Sequence, residues 1–235
     1  MSELIILSPC KEMNPTPGNL PIQIGEYSQQ LVDYFAKQSL EDIATFFKVS
    51  DHLAQDILQY YQSFSIDTGR PAWQVYQGLA FRQIQWESID LSYAQKHLRI
   101  LSALYGPIGP LEAIHPYRLD FMRSFQWQGQ SLKKSWQATY LPSIQGHTIY
   151  DLASQEFSSL IPKKDAHVIQ IDFYQSYPNK KAPAAVAKKL RGALASHLLS
   201  HQSFHEETFA DFVFETYCLV NFRPEDGIIH FAKHT

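Results

Sequence analysis

The chain has 235 residues, is 45% hydrophobic and 18% charged, and carries a formal net charge of −3. This composition suits a globular protein with a sizeable core, and the net charge alone does not indicate a nucleic-acid-binding protein. The sequence contains no run of 18 apolar residues and no basic segment before an apolar N-terminal stretch. We therefore expect one domain over residues 1–235, with no membrane partner and a cytoplasmic location.

The first half of the chain is predicted to be mainly helical after one strand. An apolar run predicts a buried strand at residues 4–7, and a loop rich in Pro, Gly and Asn follows. Helical periodicity predicts helices over 25–37, 39–47 and 51–64. The last two form a helix–turn–helix unit near residues 40–64, and a further helical stretch is predicted over 70–81.

The second half mixes helices and strands. Leu98, Leu101 and Leu104 recur at helical spacing, so we expect a helix that ends at Gly106 and Pro107. Later elements are predicted as a hairpin strand at 121–130, a helix at 131–140, strands at 148–152 and 166–174, a helix at 181–200, and a terminal hairpin at 218–222 and 227–231. The predicted class is therefore α+β, with a mixed sheet and several helices in one compact domain.

Cysteine and histidine spacing gives no metal or disulfide signature. Cys10 and Cys218 are expected to be unpaired thiols, because the chain has no secretion signal. His197 and His201 are four residues apart, but no third ligand accompanies them. We predict no metal site and no cofactor.

The first candidate group for binding an anion follows the N-terminal strand. Ser8 and Lys11 lie just after it, where α/β and α+β proteins often place ligand groups. Lys11 can bind an anion or, if desolvated, act as a nucleophile. The alternative is an ordinary exposed lysine.

The second candidate group lies in a segment that is rich in proline and glycine. Arg99, Tyr105, Tyr117 and Arg118 combine guanidinium groups with phenols, which suits phosphate or carboxylate recognition. The alternative hypothesis is that Arg118 pairs with a nearby carboxylate and stabilises the turn.

The third candidate group is a basic helix. Lys188, Lys189 and Arg191 lie close together, and Lys188 and Arg191 share a face. From residue 163 to 191 the chain carries seven Lys or Arg against two acids, whereas residues 206–226 carry six acids against one Arg. Such a ridge can hold backbone phosphates, and the alternative is a solvated helix face.

Several segments resemble motifs of one known family. Residues 97–111 and 115–120 are similar to the central signature of the YaaA family, the bacterial peroxide-stress proteins. The matching segments in chain order are residues 7–11, 97–120, 152–157 and 187–192. The resemblance spans nearly the whole chain.

The resemblance implies a role in peroxide stress, limitation of free intracellular iron, and DNA binding through a positively charged cleft. It also implies a helix-hairpin-helix-like DNA element near residues 40–64. The turn there has no glycine and carries Asp51, which is unfavourable beside a phosphate. The alternative hypothesis is an enzyme acting on a phosphorylated or nucleotide-like small molecule with Lys11, Arg118 and Glu156, where Glu156 is an acid–base candidate.

Overall fold

The computed structural model describes residues 2–121, 125–162 and 166–234. The strands in these residues are β1 (Ser2–Leu7), β2 (Arg70–Pro71), β3 (Leu98–Ser102), β4 (Gly106–Ile108), β5 (Ala113–Ile114), β6 (Gln126–Trp127), β7 (Gln130–Ser131), β8 (His147–Asp151), β9 (His167–Ser176), β10 (Lys180–Lys181), β11 (Tyr217–Arg223) and β12 (Ile228–Lys233). The helices are α1 (Glu26–Ala36), α2 (Leu40–Phe47), α3 (Asp51–Gln62), α4 (Ala72–Val75), α5 (Leu91–His97), α6 (Leu132–Ile144), α7 (Gln155–Ser158), α8 (Ala184–His201) and α9 (Glu206–Asp211).

The main sheet has eight strands in the order β11–β12–β9–β8–β1–β3–β4, with β10 paired to β9. Its centre is parallel: β1 pairs with β3 and β8, β8 with β9, and β9 with β12. The pairs β3–β4, β9–β10 and β11–β12 are antiparallel. The predicted α+β class with a mixed sheet is confirmed.

The central strand β1 is buried on both faces, which explains its continuous apolar sequence. Leu4 and Ile6 pack on one side with Trp136 and Tyr140 of α6. Ile5 and Leu7 lie on the other side, in a larger core that includes Leu194 and other apolar residues of α8. The sheet is therefore a rigid base for residues at the strand ends.

Helices α2 and α3 are a pair of consecutive helices, joined by residues 48–50. Ser39 caps α2 in a capping box with Asp42, whose backbone N–H it accepts, and Ser50 caps α3. Lys48 ends α2 in the left-handed region at φ 52°.

The prediction of a helix through Leu98, Leu101 and Leu104 is wrong. The preceding helix, α5, ends at His97, and the chain continues as β3, which pairs with β1 and β4. Leu98 and Leu101 are in separate cores on opposite faces of the sheet. Apolar residues three apart therefore satisfy a strand that is buried on both faces as well as they satisfy a helix.

The continuous helix predicted over 70–81 is also wrong. The segment begins as β2, forms only the four-residue α4, and reaches a 3₁₀ turn at Phe81–Gln83. The hairpin predicted near 121–130 is present as β6 and β7, whereas residues 122–124 lie outside the described part of the chain.

Candidate functional site

The candidate site lies where β1 and β8 end side by side. From β1 the chain crosses to β3 on one side, whereas β8 and β9 lie on the other side, so a topological switch point separates β1 from β8. Open sheets bind ligands in the crevice outside the carboxyl ends of their strands at such a point. Ser8 and Ser154 join the two strand ends: the Ser154 N–H donates to Ser8 Oγ over 2.8 Å, and Ser8 Oγ donates to Ser154 Oγ over 3.1 Å.

An inner pocket of about 350 Å³ opens at this junction. Its walls are the segment after β1, the segment at residues 78–81, the start of α7, and α8. Gly78 allows one wall to approach closely, because a Cβ there would meet the Cβ and Sγ of Cys10. The polar side chains that line the pocket are Ser8, Lys11, Glu12, Ser154, Glu156, Lys188 and Arg191.

A small recess of about 40 Å³ extends the inner pocket on one side and brings Arg118 beside Lys11 and Glu156. Lys11 Nζ lies 3.2 Å from Asp120 Oδ2, and its side chain is 59% exposed whereas that of Asp120 is 6% exposed. The Phe121 N–H donates to Glu156 Oε1 over 2.8 Å. The three residues of the enzyme hypothesis, Lys11, Arg118 and Glu156, therefore surround one recess.

An outer cavity of about 800 Å³ adjoins the inner pocket on the other side. Ser154, Lys188 and Arg191 line both spaces, so they lie at the junction. The inner pocket, the recess and the outer cavity together are called the cleft below.

Arg191 is the central cation of the cleft. Burial lowers the pKa of its guanidinium, and the nearby carboxylates of Asp151 and Asp172 oppose this shift. Its Nε is buried and has no hydrogen-bond partner among the described residues. A buried guanidinium donor without a partner is costly to the protein alone and can be satisfied by an oxyanion.

The outer cavity also contains an ion pair. Lys181 Nζ lies 2.6 Å from Asp172 Oδ2 and donates to Tyr174 Oη over 2.8 Å. Burial acts to lower the pKa of Lys181, but the hydrogen bonds to Asp172 and Tyr174 outweigh it and raise the pKa.

Three of the predicted site residues lie outside the cleft, and a fourth lines it with a hydroxyl that is already hydrogen-bonded. Arg99 and Lys189 do not line the three spaces of the cleft, and Arg99 Nη1 donates to the carbonyl oxygens of Gln95 and Leu98. Tyr105 is also outside, where its hydroxyl donates to the His115 carbonyl oxygen. Tyr117 lines the recess, but its hydroxyl is within 2.7 Å of Ser102 Oγ and 3.0 Å of Tyr76 Oη. Burial raises the pKa of both tyrosines, so both are neutral phenols.

Among the acidic residues that sequence reasoning missed are the two beside Arg191. Asp151 ends β8 and Asp172 lies in β9, both beside Arg191. Each follows buried strand residues at or near the carboxyl end of a predicted strand, which was the available signal. Their presence gives the cleft mixed charge instead of a uniformly positive surface.

Both cysteines are free thiols, as predicted. Cys10 lies in the inner pocket, where the Gly78 N–H donates to its Sγ over 3.1 Å. Burial raises the pKa of Cys10 to about 11, so the thiol is protonated near neutral pH.

The described residues offer neither a metal-ligand cluster nor a membrane-spanning helix. No three of their His, Cys, Asp and Glu side chains are close enough together to hold a metal ion. His197 Nε2 is 2.8 Å from the Thr208 carbonyl oxygen, and His201 Nδ1 is 2.8 Å from the His197 carbonyl oxygen. None of the helices in the described part of the chain is long and apolar enough to cross a membrane.

Comparisons with known proteins agree with the sequence motifs. Residues 4–222 match the family model described as peroxide stress protein YaaA. A UPF0246 protein of Streptococcus sanguinis strain SK36 is 33% identical over 207 residues, which cover 84% of this chain and 86% of the relative. A UPF0246 protein of Streptococcus gordonii is 29% identical over 225 residues, covering 90% of this chain and 92% of the relative. The chain therefore belongs to the peroxide stress protein YaaA family.

Proposed function

We propose that this protein acts in the response to peroxide stress by binding the phosphate group of a nucleotide-like ligand in the cleft. The observation that carries the proposal is Arg191, whose buried Nε lacks a partner among the described residues at the junction of the inner pocket and the outer cavity. Lys188 lies one turn away on α8 and lines the same two spaces. A guanidinium and an ammonium group on one helix face suit a phosphate dianion.

The dimensions of the cleft favour a small molecule. Ligand pockets for small molecules have volumes of about 300–1,000 Å³, and both the inner pocket and the outer cavity are in that range. The hydroxyl groups of Ser8 and Ser154 and the Gln170 side chain offer neutral hydrogen-bonding groups beside the cations. These groups suit the sugar part of a nucleotide.

Duplex DNA is the second candidate source of the phosphate, and the family resemblance implies it. Lys188 is exposed and supports this alternative. The carboxylates of Asp151, Asp172 and Glu156 disfavour it, because they would repel successive backbone phosphates. Residues of the α2–α3 pair do not line the three spaces of the cleft.

The test is a binding titration with three probes: adenosine 5′-monophosphate, ribose 5-phosphate and a short DNA duplex, each at about 50 and 200 mM salt. The variant is the double substitution Lys188→Ala with Arg191→Ala. The matched control is Lys189→Ala, which removes a charge from the same helix outside the cleft. Circular dichroism checks that each variant is folded.

We expect the double variant to bind both small phosphates about tenfold or more weakly, because charge-assisted hydrogen bonds are lost. The control should bind them normally. If duplex DNA is the ligand, the double variant should instead lose DNA affinity for all sequences, and its salt slope should fall by about one unit per lost contact. Equal affinities of the double variant and the unmodified protein for all three probes would overturn the proposal.

Enzymatic turnover is a separate hypothesis, supported by the meeting of Lys11, Arg118 and Glu156 at the recess. Glu156 would transfer a proton and the two cations would stabilise negative charge. Chromatography of phosphorylated compounds incubated with the protein tests it, and Glu156→Gln should abolish any product formed. Lack of conversion of any compound that binds would count against catalysis.

The cellular part of the proposal, including limitation of free iron, is tested in bacteria that lack their own family member. The unmodified protein should improve survival in hydrogen peroxide and lower the free iron that electron paramagnetic resonance detects. The double variant at positions 188 and 191 should do neither if the cleft is responsible. Equal protection by the double variant would show that the cellular role does not depend on Lys188 and Arg191 in the cleft.

A further inference from the structure

A second cluster of polar and aromatic side chains lies beside the outer cavity. Asp172 and Tyr174 are two residues apart in β9 and therefore project from the same face of the sheet. In the neighbouring strand β12, His230 pairs with Asp172, and in β11 Asn221 pairs with His230. Directly paired residues share a face, so these side chains form one continuous row across three strands.

This row ends in an aromatic group that we call the aromatic patch, formed by Tyr174, Tyr177 and His230. The rings of Tyr174 and Tyr177 are 5.1 Å apart in an edge-to-face arrangement. The ring of His230 is 5.2 Å from that of Tyr174 and 5.6 Å from that of Tyr177. The Tyr177 hydroxyl is 3.3 Å from His230 Nδ1. Two ring contacts and this polar contact hold Tyr177 in a defined orientation.

Tyr177 is the accessible member of the patch. It is 40% exposed, whereas Tyr174 is 8% exposed and has Lys181 Nζ 4.1 Å from its ring centroid. A large ring that is oriented by its neighbours and exposed to solvent can stack on another planar aromatic group.

Lys181 connects the aromatic patch to the cleft. Its ammonium contacts Tyr174 in the patch and Asp172 in the outer cavity, which Lys181 itself also lines. A ligand that extends from Arg191 along Lys181 therefore passes from a phosphate-binding region to an aromatic one.

We propose that the aromatic patch stacks the base of the nucleotide whose phosphate occupies the cleft, with Tyr177 as the stacking residue. This inference rests on the proposed function and specifies its ligand class: a phosphate that carries an aromatic base instead of a simple sugar phosphate. The set of groups carries the argument, because Arg191 suits a phosphate, the Gln170 side chain in the outer cavity suits a sugar, and the open ring of Tyr177 suits a base.

The mixed charge of this surface favours a single nucleotide over a longer strand. Asp172 lies beside Lys181, and Asp226 lies 3.3 Å from Arg223 Nη1 at the end of β11. Both cations therefore have local carboxylate partners that would oppose further phosphates.

The test compares adenosine 5′-monophosphate with ribose 5-phosphate, which carries a hydroxyl group at C1 in place of the base. Tyr177→Ala removes the ring, and Tyr177→Phe is the matched control that keeps the ring without its hydroxyl. Tyr177 is exposed, so both variants should fold, and thermal unfolding verifies this. Isothermal titration calorimetry gives the affinities.

We expect Tyr177→Ala to weaken binding of the nucleotide at least about fivefold, the lower bound for loss of a base–aromatic stack. Binding of ribose 5-phosphate should be unchanged, and Tyr177→Phe should retain nucleotide affinity. Unchanged nucleotide affinity in Tyr177→Ala, or an equal loss for both probes, would overturn the stacking role. The double variant at positions 188 and 191 tests the phosphate separately. If that variant loses affinity for both probes but Tyr177→Ala keeps it, only this inference is refuted. A protein that binds neither probe refutes the proposed function as well.

Discussion

Gly192 of α8 packs directly against the backbone of Ala80 in the segment that forms one wall of the inner pocket. A methyl group at Gly192 would overlap the Ala80 carbonyl oxygen and lie 2.6 Å from its carbonyl carbon. Only glycine permits this approach, because the obstructing atoms belong to the backbone and cannot rotate away. The contact therefore fixes the distance between α8, which carries Lys188 and Arg191, and the opposite wall of the pocket.

Gly192→Ala should consequently damage both stability and binding. We expect the free energy of unfolding to fall by about 1–3 kcal/mol, the usual cost of overpacking, even though alanine favours helix formation. Urea unfolding measures this change. Gly25→Ala is the control, because a Cβ there meets nothing within 4 Å. A variant at position 192 as stable as the unmodified protein would show that the helix can move without cost.

Local sequence patterns predict the strands and the helix around the site. They do not predict which residues of these distant elements come into contact. The ends of β1 and β8 and the basic face of α8 follow from apolar runs and helical spacing. Asp151 and Asp172 converge on Arg191 only because β9 lies next to β8, and this pairing of distant segments leaves no local periodic signal. Arg99 shows the opposite error. Proximity in sequence groups Arg99 with Arg118. In the fold, Arg99 lies in β3 and does not line the recess that Arg118 lines.

Tyr117→Phe tests whether this phenol stabilises the fold instead of binding ligand. Tyr117 is 1% exposed, and its hydroxyl bonds with Ser102 and Tyr76 are both buried. We expect a loss of about 1–3 kcal/mol in unfolding free energy, because the partner hydroxyls lose a hydrogen bond in a buried environment. Affinity for adenosine 5′-monophosphate should be unchanged. Tyr93→Phe, at a half-exposed ring stacked on His97, is the control and should cost little. If Tyr117→Phe is stable but binds the nucleotide more weakly, the Tyr117 hydroxyl contributes to ligand binding.

Cys10 should react slowly with electrophiles despite lying in the inner pocket of a member of a peroxide-stress family. Burial raises its pKa to about 11, and the reactive thiolate is therefore scarce at neutral pH. Alkylation by iodoacetamide, followed by mass spectrometry, should be much slower in the native protein than in urea at about pH 7. The native rate should increase as the pH approaches 11. Equally rapid alkylation in both conditions would contradict the raised pKa, and faster alkylation in the native protein would identify Cys10 as an activated thiol.

Stability should decrease in mild acid, with buried His115 contributing. His115 is 5% exposed, and burial lowers its pKa from the ordinary value of about 6.5. The unfolded chain therefore takes up a proton at this residue before the folded protein does. The contribution of His115 is complete above the ordinary pKa and is lost as the pH falls toward the lowered pKa, by up to about 1.4 kcal/mol for each pH unit between the two values. Urea unfolding at about pH 7.5 and 5 measures this dependence.

His115→Gln isolates this contribution from those of the other titrating groups. Glutamine can still form hydrogen bonds near Ser63 and Thr68, which lie 3.4 Å from the two ring nitrogens of His115. The variant should be less stable at the higher pH but lose less stability on acidification than the unmodified protein does. His52→Gln is the control, because that side chain is 92% exposed. If the His115 variant and the unmodified protein lose the same stability on acidification, His115 does not contribute. His197 and His230 would then be the next histidines to test, because burial lowers their pKa values as well.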